Sequence, residues 1–128
     1  MTHAAVAVVA WLNVRNGAKA VEFYKAAFGA AEMFRIDGDG GAVVCQLSVG
    51  SAQFWVGDES PEYLNFSPET LGGGTVRMML MVEDPDASFA KAIAAGAKSI
   101  SPVANQHGWR VGRVVDPCGH HWEICRQL

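Results

Sequence analysis

The sequence predicts an α+β fold of two paired β-α-β-β-β modules that form a curved mixed sheet around a cleft. The first observation is an internal repeat: an apolar strand pattern that ends at Val14 recurs 68 residues later, ending at Val82. The second is that the glycine closing each helix pattern recurs 67 residues apart, at Gly29 and Gly96. The third is the length, 128 residues, which suits one compact domain. The chain therefore divides into module one (4–57), a linker (58–74) and module two (75–128).

Each element of module one has a local signal. Segment 6–14 is rich in β-branched residues and too short for a convincing helix, so we predict a strand there. Asn16 and Gly17 break that pattern, and apolar residues at helical spacing then predict a helix over 18–28, which Gly29 ends. Glycine-rich turns separate three further predicted strands, at 31–36, 42–49 and 52–56.

Module two repeats this order. A strand is predicted at 76–82, and the helix that follows, over 86–95, has Asp84 as its N-cap and Pro85 in its first turn. Gly96 ends this helix. Three strands are predicted after it, at 98–101, 111–115 and 121–125.

Alternation along the first strand of each module separates a core face from a cleft face. The faces expected to pack under the helices are wholly apolar: Val6, Val8, Ala10, Leu12 and Val14, and then Val76, Met78, Leu80 and Val82. The opposite faces are mixed, as expected where a sheet curls around a ligand: Ala7, Val9, Trp11 and Asn13, and then Arg77, Met79 and Met81. By the same alternation, Trp55 and Trp122 fall on the faces of their strands that pack against the helices, so we predict that both are core residues.

Composition excludes several partner classes. The formal charge is only −3 and the basic residues are scattered singly, so we expect no nucleic-acid partner. No apolar stretch approaches a membrane span and no basic leader opens the chain, so we expect no membrane association. The three cysteines lack zinc-type spacing, which favours free thiols in a cytoplasmic protein.

Several motifs carry a family resemblance: Leu12-Asn13-Val14, residues 21–24 (Val-Glu-Phe-Tyr), residues 28–30 (Phe-Gly-Ala) and residues 112–124 (Gly-Arg-Val-Val-Asp-Pro-Cys-Gly-His-His-Trp-Glu-Ile). Together they resemble the vicinal oxygen chelate superfamily, which includes glyoxalase I, bleomycin-resistance proteins and extradiol dioxygenases. Residues 65–73 (Asn-Phe-Ser-Pro-Glu-Thr-Leu-Gly-Gly) resemble a bacterial glyoxalase-like branch. The resemblance covers nearly the whole chain and implies the paired-module fold and a homodimer. It does not select a function, because this fold hosts isomerases, dioxygenases, transferases and plain binding proteins.

The resemblance also implies four metal-ligand positions, one on the first and one on the last strand of each module. On this chain they fall on Val9, Phe54, Arg77 and Glu123. Valine and phenylalanine donate nothing and arginine is cationic, so the set predicts no metal and no other cofactor. A register slip of one residue would add only Gln53. His121, Glu123 and Cys125 alternate on one strand and could form an alternative metal site, but side chains two apart on a strand diverge. We therefore interpret them as a solvated or partly packed strand end.

The remaining feature is a groove lined by aromatic and sulfur-containing side chains, which suit planar or irregular apolar ligands. We predict that Arg77 takes the place of the metal and pairs with Glu123 within hydrogen-bonding distance. The Met79 and Met81 side chains suit either the groove or a dimer interface. The predicted ligand-binding residues are Trp11, Phe54, Arg77, Met79, Met81, Trp109 and Glu123.

Three functional classes follow from this interpretation. The preferred one is metal-independent binding of a small apolar or aromatic molecule, of the drug-sequestering antibiotic-resistance type. The alternative is a metal-dependent lyase, isomerase or dioxygenase, and the third class is a structural dimer without a ligand pocket. No nucleophile motif such as Gly-x-Ser-x-Gly is present, so we assign no catalytic residue.

Overall fold

The structure, a computed structural model, describes residues 5–128 and confirms two β-α-β-β-β modules. Residue 4, the predicted first residue of module one, lies outside the described residues. Short 3₁₀ turns occur at Asp39–Gly41 and Pro61–Tyr63. In chain order the elements are β1 (Trp11–Val14), α1 (Gly17–Phe28), β2 (Ala31–Asp37), β3 (Val43–Val49), β4 (Ala52–Asp58), α2 (Pro68–Leu71), β5 (Arg77–Met81), α3 (Pro85–Ala95), β6 (Lys98–Gln106), β7 (Trp109–Val115) and β8 (His121–Gln127).

Each module forms its own four-stranded mixed sheet. The strand order is β1-β4-β3-β2 in module one and β5-β8-β7-β6 in module two. The first and last strands of each module pair in parallel, and the other pairs are antiparallel. The sequence repeat is therefore a repeat of topology as well.

Three helix ends follow the predicted caps, and Asn16, predicted only as a break in the strand pattern, is the N-cap of α1. The Asn16 side chain accepts a hydrogen bond from the Lys19 backbone, and Asp84 accepts one from Ala87. Gly29 and Gly96 end their helices with positive φ angles of 67° and 119°, a backbone region that favours glycine.

The helix-bearing sides of the two sheets meet in a shared core. The Tyr24 ring of α1 contacts Phe54 of β4 at 5.3 Å and Trp122 of β8 at 5.5 Å between centroids. Buried Asp116 accepts hydrogen bonds from the Tyr24 hydroxyl and the Trp122 indole, so it links the two modules. The opposite faces of the two sheets are therefore not turned toward each other.

The predicted strand 6–14 is too long at its N-terminal end. Residues 5–10 belong to no strand, and Val6 and Val8 are fully exposed, so their predicted place under the helix is wrong. Pairing with β4 begins only where Trp11 lies beside Trp55. β-branched residues favour an extended chain, but a strand also needs a neighbour to pair with.

The corresponding face of module two is partly confirmed. Met78, Leu80 and Val82 pack against the core, whereas Val76 precedes β5 and is exposed. Trp122 is buried as predicted. The cysteines Cys45, Cys118 and Cys125 are free, as predicted, and all are buried. Within residues 5–128, no helix has the length and hydropathy needed to cross a membrane.

Candidate ligand-binding groove

The open face of sheet two carries most of the predicted site residues. Trp122 and Ile124 of β8 point into the core, so the alternating side chains of His121, Glu123 and Cys125 lie on the opposite, open face of the sheet. Strand register then places their neighbours on the same face. On β5 these are Arg77, Met79 and Met81, and on β7 they are Trp109, Val111, Arg113 and Val115.

A groove of about 310 Å³ lies on this face. Its lining unites four of the predicted residues with four that were not predicted. Met81 shares the face but does not line the groove. The lining residues are Arg77, Met79, Trp109 and Glu123, and then Gln106, His107, Val111 and Cys125.

The predicted pairing of Arg77 with Glu123 is confirmed. The Arg77 Nε lies 2.9 Å from the Glu123 Oε1, and the two side chains are 57% and 22% exposed. Solvent screens such a pair, so we expect it to contribute only about 0.2–1 kcal/mol to stability. Its importance is chemical, because it fixes a cation and an anion in a groove that the apolar side chains of Met79, Trp109 and Val111 also line.

A second arginine is held nearby. The Arg113 Nε donates a hydrogen bond of 3.1 Å to His121 Nδ1, which assigns the imidazole proton to Nε2. Partial burial, and then the adjacent Arg113 cation, lower the pKa of His121. His121 is therefore a neutral acceptor that orients Arg113.

Trp11 lies on the open face of sheet one rather than in this groove. Its indole stacks on Trp55 with ring centroids 5.4 Å apart and planes 5° apart, and the Phe34 ring contacts Trp55 at 6.0 Å. A Cβ at Gly57 would lie 3.0 Å from the Trp11 ring, so the glycine permits this position. Trp11 also borders a separate, mostly apolar cavity of about 390 Å³ between β1, α2 and the start of β5.

The prediction that Phe54 of β4 faces the ligand groove and Trp55 faces the core is wrong. Phe54 is buried between Tyr24 and Trp122 in the core, and Trp55 is on the open face. Phe54 was assigned as the counterpart of Glu123 by aligning the glycines of the two last turns, Gly50 and Gly119. The β3–β4 turn contains two residues and the β7–β8 turn contains five, so this alignment shifted the β4 assignment by one residue. A shift of one residue exchanges the two faces of a strand.

Comparison with known proteins agrees with this architecture. The family model of the glyoxalase-like domain matches residues 9–125. The chain belongs to the glyoxalase-like domain family. It is 36% identical over 118 residues to the uncharacterized protein Mb0911c of Mycobacterium bovis, covering 88% of this chain and 78% of that one.

Solved structures share the glyoxalase-like fold. TioX from Micromonospora sp. ML1 is 26% identical with a TM-score of 0.73, over 97% of this chain and 100% of that one. A member of the glyoxalase/bleomycin resistance protein/dioxygenase superfamily from Sphaerobacter thermophilus is 20% identical with a TM-score of 0.71. That alignment covers 95% of this chain and 98% of the other, and at this identity it shows the fold alone.

The donor set of this glyoxalase-like chain does not fit the divalent metal that the resemblance implied. Within residues 5–128, no three His, Cys, Asp or Glu side chains converge. Glu123 is the single carboxylate in the groove lining, and it is engaged by Arg77. A transition metal needs several N, O or S donors at about 2 Å, and an adjacent guanidinium repels it.

Sequence reasoning missed residues that depend on the β6–β7 hairpin. The predicted strands ended at 101 and began at 111, but β6 and β7 continue to a two-residue turn at His107 and Gly108. Both turn residues have positive φ, 50° and 82°, as in tight hairpins, and this turn pairs Gln106 with Trp109. The signal that could have revealed the turn is Gly108, because glycine readily adopts the positive φ that such a turn requires.

Proposed function

We propose that this glyoxalase-like protein binds a small planar aromatic or apolar molecule in the module-two groove without a metal. The observation that carries the proposal is the groove lining: the Trp109 ring, Met79 and Val111 accompany an Arg77–Glu123 pair at a position where metal donors were implied. A volume of about 310 Å³ is at the small end of the range for ligand pockets, which suits a compact ligand.

Binding rather than covalent catalysis is supported by the state of the nucleophile in the groove. Cys125 lines the groove, but burial, and then the neighbouring Glu123 charge, raise the pKa of its thiol. A thiol is a weak nucleophile until it ionises. We therefore propose sequestration, the role of a cytoplasmic drug-binding resistance protein, as the activity of this chain.

We further propose a homodimer in which a second copy covers the open face of module one. Trp11 and Phe34 are 52% and 50% exposed there, and Ile36 lies on the same strand as Phe34 with a similar exposure. Contiguous exposed apolar surface of this kind is typical of protein–protein contact. Light scattering after size exclusion should show a dimer that Trp11→Glu dissociates and Tyr63→Glu leaves intact, with circular dichroism confirming that both variants fold. An unchanged dimer in Trp11→Glu would contradict the assignment.

The binding proposal is tested by calorimetry with 2-naphthalenemethanol, a neutral planar probe. Trp109→Ala should weaken binding by about 1–3 kcal/mol, the usual effect of removing an aromatic anchor. Tyr63→Ala is the matched control, because Tyr63 is an exposed aromatic residue in the connecting segment. Equal affinity in wild type and Trp109→Ala would refute the groove assignment.

A further inference from the structure

We propose that the ligand of the module-two groove carries an anionic group, and that the terminal nitrogens of Arg113 bind it. The proposal rests on the proposed function, because it names the chemical class of the molecule bound at that same site. The class is a planar aromatic or apolar carboxylate, or a molecule with an equivalent oxyanion.

Strand register brings the two arginines to either side of β8. Arg113 on β7 lies directly opposite Glu123, and Arg77 on β5 lies directly beside His121. Adjacent strands are roughly 4.8 Å apart, so the β5 and β7 backbones lie roughly 10 Å apart across β8. Both side chains are long enough to reach a group that rests above β8.

Each guanidinium is held through its Nε. Arg113 donates from Nε to His121 Nδ1, and the Nε of Arg77 lies against Glu123. In Arg113 this contact leaves the two terminal nitrogens without a hydrogen-bond partner among residues 5–128. Two parallel N–H groups of one guanidinium match the two oxygens of a carboxylate, and here their direction is set before the ligand arrives.

The charges on this face do not balance. Glu123 pairs with Arg77, whereas no carboxylate in the described part of the chain lies within 4.0 Å of a nitrogen of Arg113. The His121 imidazole accepts from Arg113 and adds no positive charge. Two guanidiniums and one carboxylate leave one net positive charge beside the groove, in a chain whose formal net charge is −3. A local field of this sign favours an anion.

The spacing along β7 sets the size of the ligand. Trp109 and Arg113 are four residues apart on one strand, which corresponds to roughly 13 Å. Val111 lies between them on the same face. An oxyanion at Arg113 therefore lets a fused two-ring system lie over Val111 toward the Trp109 ring.

The test compares 2-naphthoate with neutral 2-naphthalenemethanol by calorimetry at low ionic strength, in wild type, Arg113→Gln and Arg126→Gln. Arg126 is the matched control because it lies at the exposed end of β8 and donates to the Glu83 backbone. We expect 2-naphthoate to bind wild type at least tenfold tighter than the alcohol. Arg113→Gln should abolish that preference while the alcohol still binds, and Arg126→Gln should preserve the preference.

Two outcomes separate the possible failures. Equal affinity of wild type for the two probes, or a preference that survives Arg113→Gln, would overturn the anion site and leave the binding proposal standing. If neither probe binds wild type, the proposed function itself fails, and the anion site fails with it.

Discussion

Asp116→Asn should destabilise the protein strongly, although it changes only one atom of the side chain. Asp116 is buried and uses both oxygens: Oδ1 accepts from the backbones of Cys118 and His120 at 2.9 and 3.0 Å, and Oδ2 accepts from the Tyr24 hydroxyl and from Trp122 Nε1. All four contacts are donors to one carboxylate. They join α1 of module one to the last hairpin of module two.

The magnitude follows from these contacts. An asparagine amide replaces one acceptor oxygen with an NH₂ donor. In its better orientation the remaining oxygen still accepts from the two backbone N–H groups, and the NH₂ group takes the place of Oδ2. The Tyr24 hydroxyl can then rotate to accept from the NH₂ group, but the Trp122 indole N–H faces a donor and loses its hydrogen bond. One unsatisfied buried donor costs about 1–3 kcal/mol. Three charge-assisted hydrogen bonds become neutral, at about 0.5–1 kcal/mol each. Together these losses lower the expected free energy of unfolding by about 2.5–6 kcal/mol.

Urea denaturation followed by far-UV circular dichroism measures this loss. Asp86→Asn is the matched control, because Asp86 is an exposed carboxylate paired with Arg110 at the surface, and only a small loss is expected there. A loss below about 1 kcal/mol in Asp116→Asn would refute the reasoning, because it would mean that the four donors do not depend on the carboxylate.

Three further predictions concern single positions. Gly17→Ala should lower the free energy of unfolding by about 1–3 kcal/mol, because a Cβ there would lie 2.5 Å from the Asp58 carboxylate oxygen; Gly73→Ala, with no atom within 4 Å, is the control in thermal melts. Arg77→Met should change stability by at most about 1 kcal/mol in urea, since the ion pair is exposed, and a loss above 3 kcal/mol would contradict this. Burial, and then the Asp116 charge, raise the pKa of Cys118 to about 12, so its labelling by iodoacetamide at pH 8 should be slow until denaturant is added. Rapid labelling of the folded protein would show that Cys118 is accessible and ionised.

The fold was predictable because its signals are local and occur twice. Gly29, Asp84 and Gly96 mark helix ends in the sequence and have those roles in the structure. The pairing of Arg77 with Glu123 was also predictable, because the family resemblance places both positions around one metal site on the neighbouring first and last strands of module two.

The remaining site residues depend on register, which composition does not encode. The exchange of Phe54 and Trp55 arose from turns of unequal length, a difference that appears only when the strands are paired. The contact between Arg113 and His121 likewise requires knowing which residues of β7 and β8 face each other. Residue propensity for strand formation cannot supply that knowledge, because the same residues favour a strand whichever register it adopts.

The most direct test of the central claim is a titration of ¹⁵N-labelled protein with 2-naphthalenemethanol in EDTA, read from the tryptophan indole signals. Trp109 lines the groove, whereas Trp122 is buried and bonded to Asp116, so one spectrum contains both the site and its control. We predict a saturable shift of the Trp109 signal, a stationary Trp122 signal and an unchanged curve when diamagnetic Zn²⁺ replaces EDTA. A Trp109 signal that stays fixed, or that moves only when the metal is present, would contradict metal-independent binding in the groove.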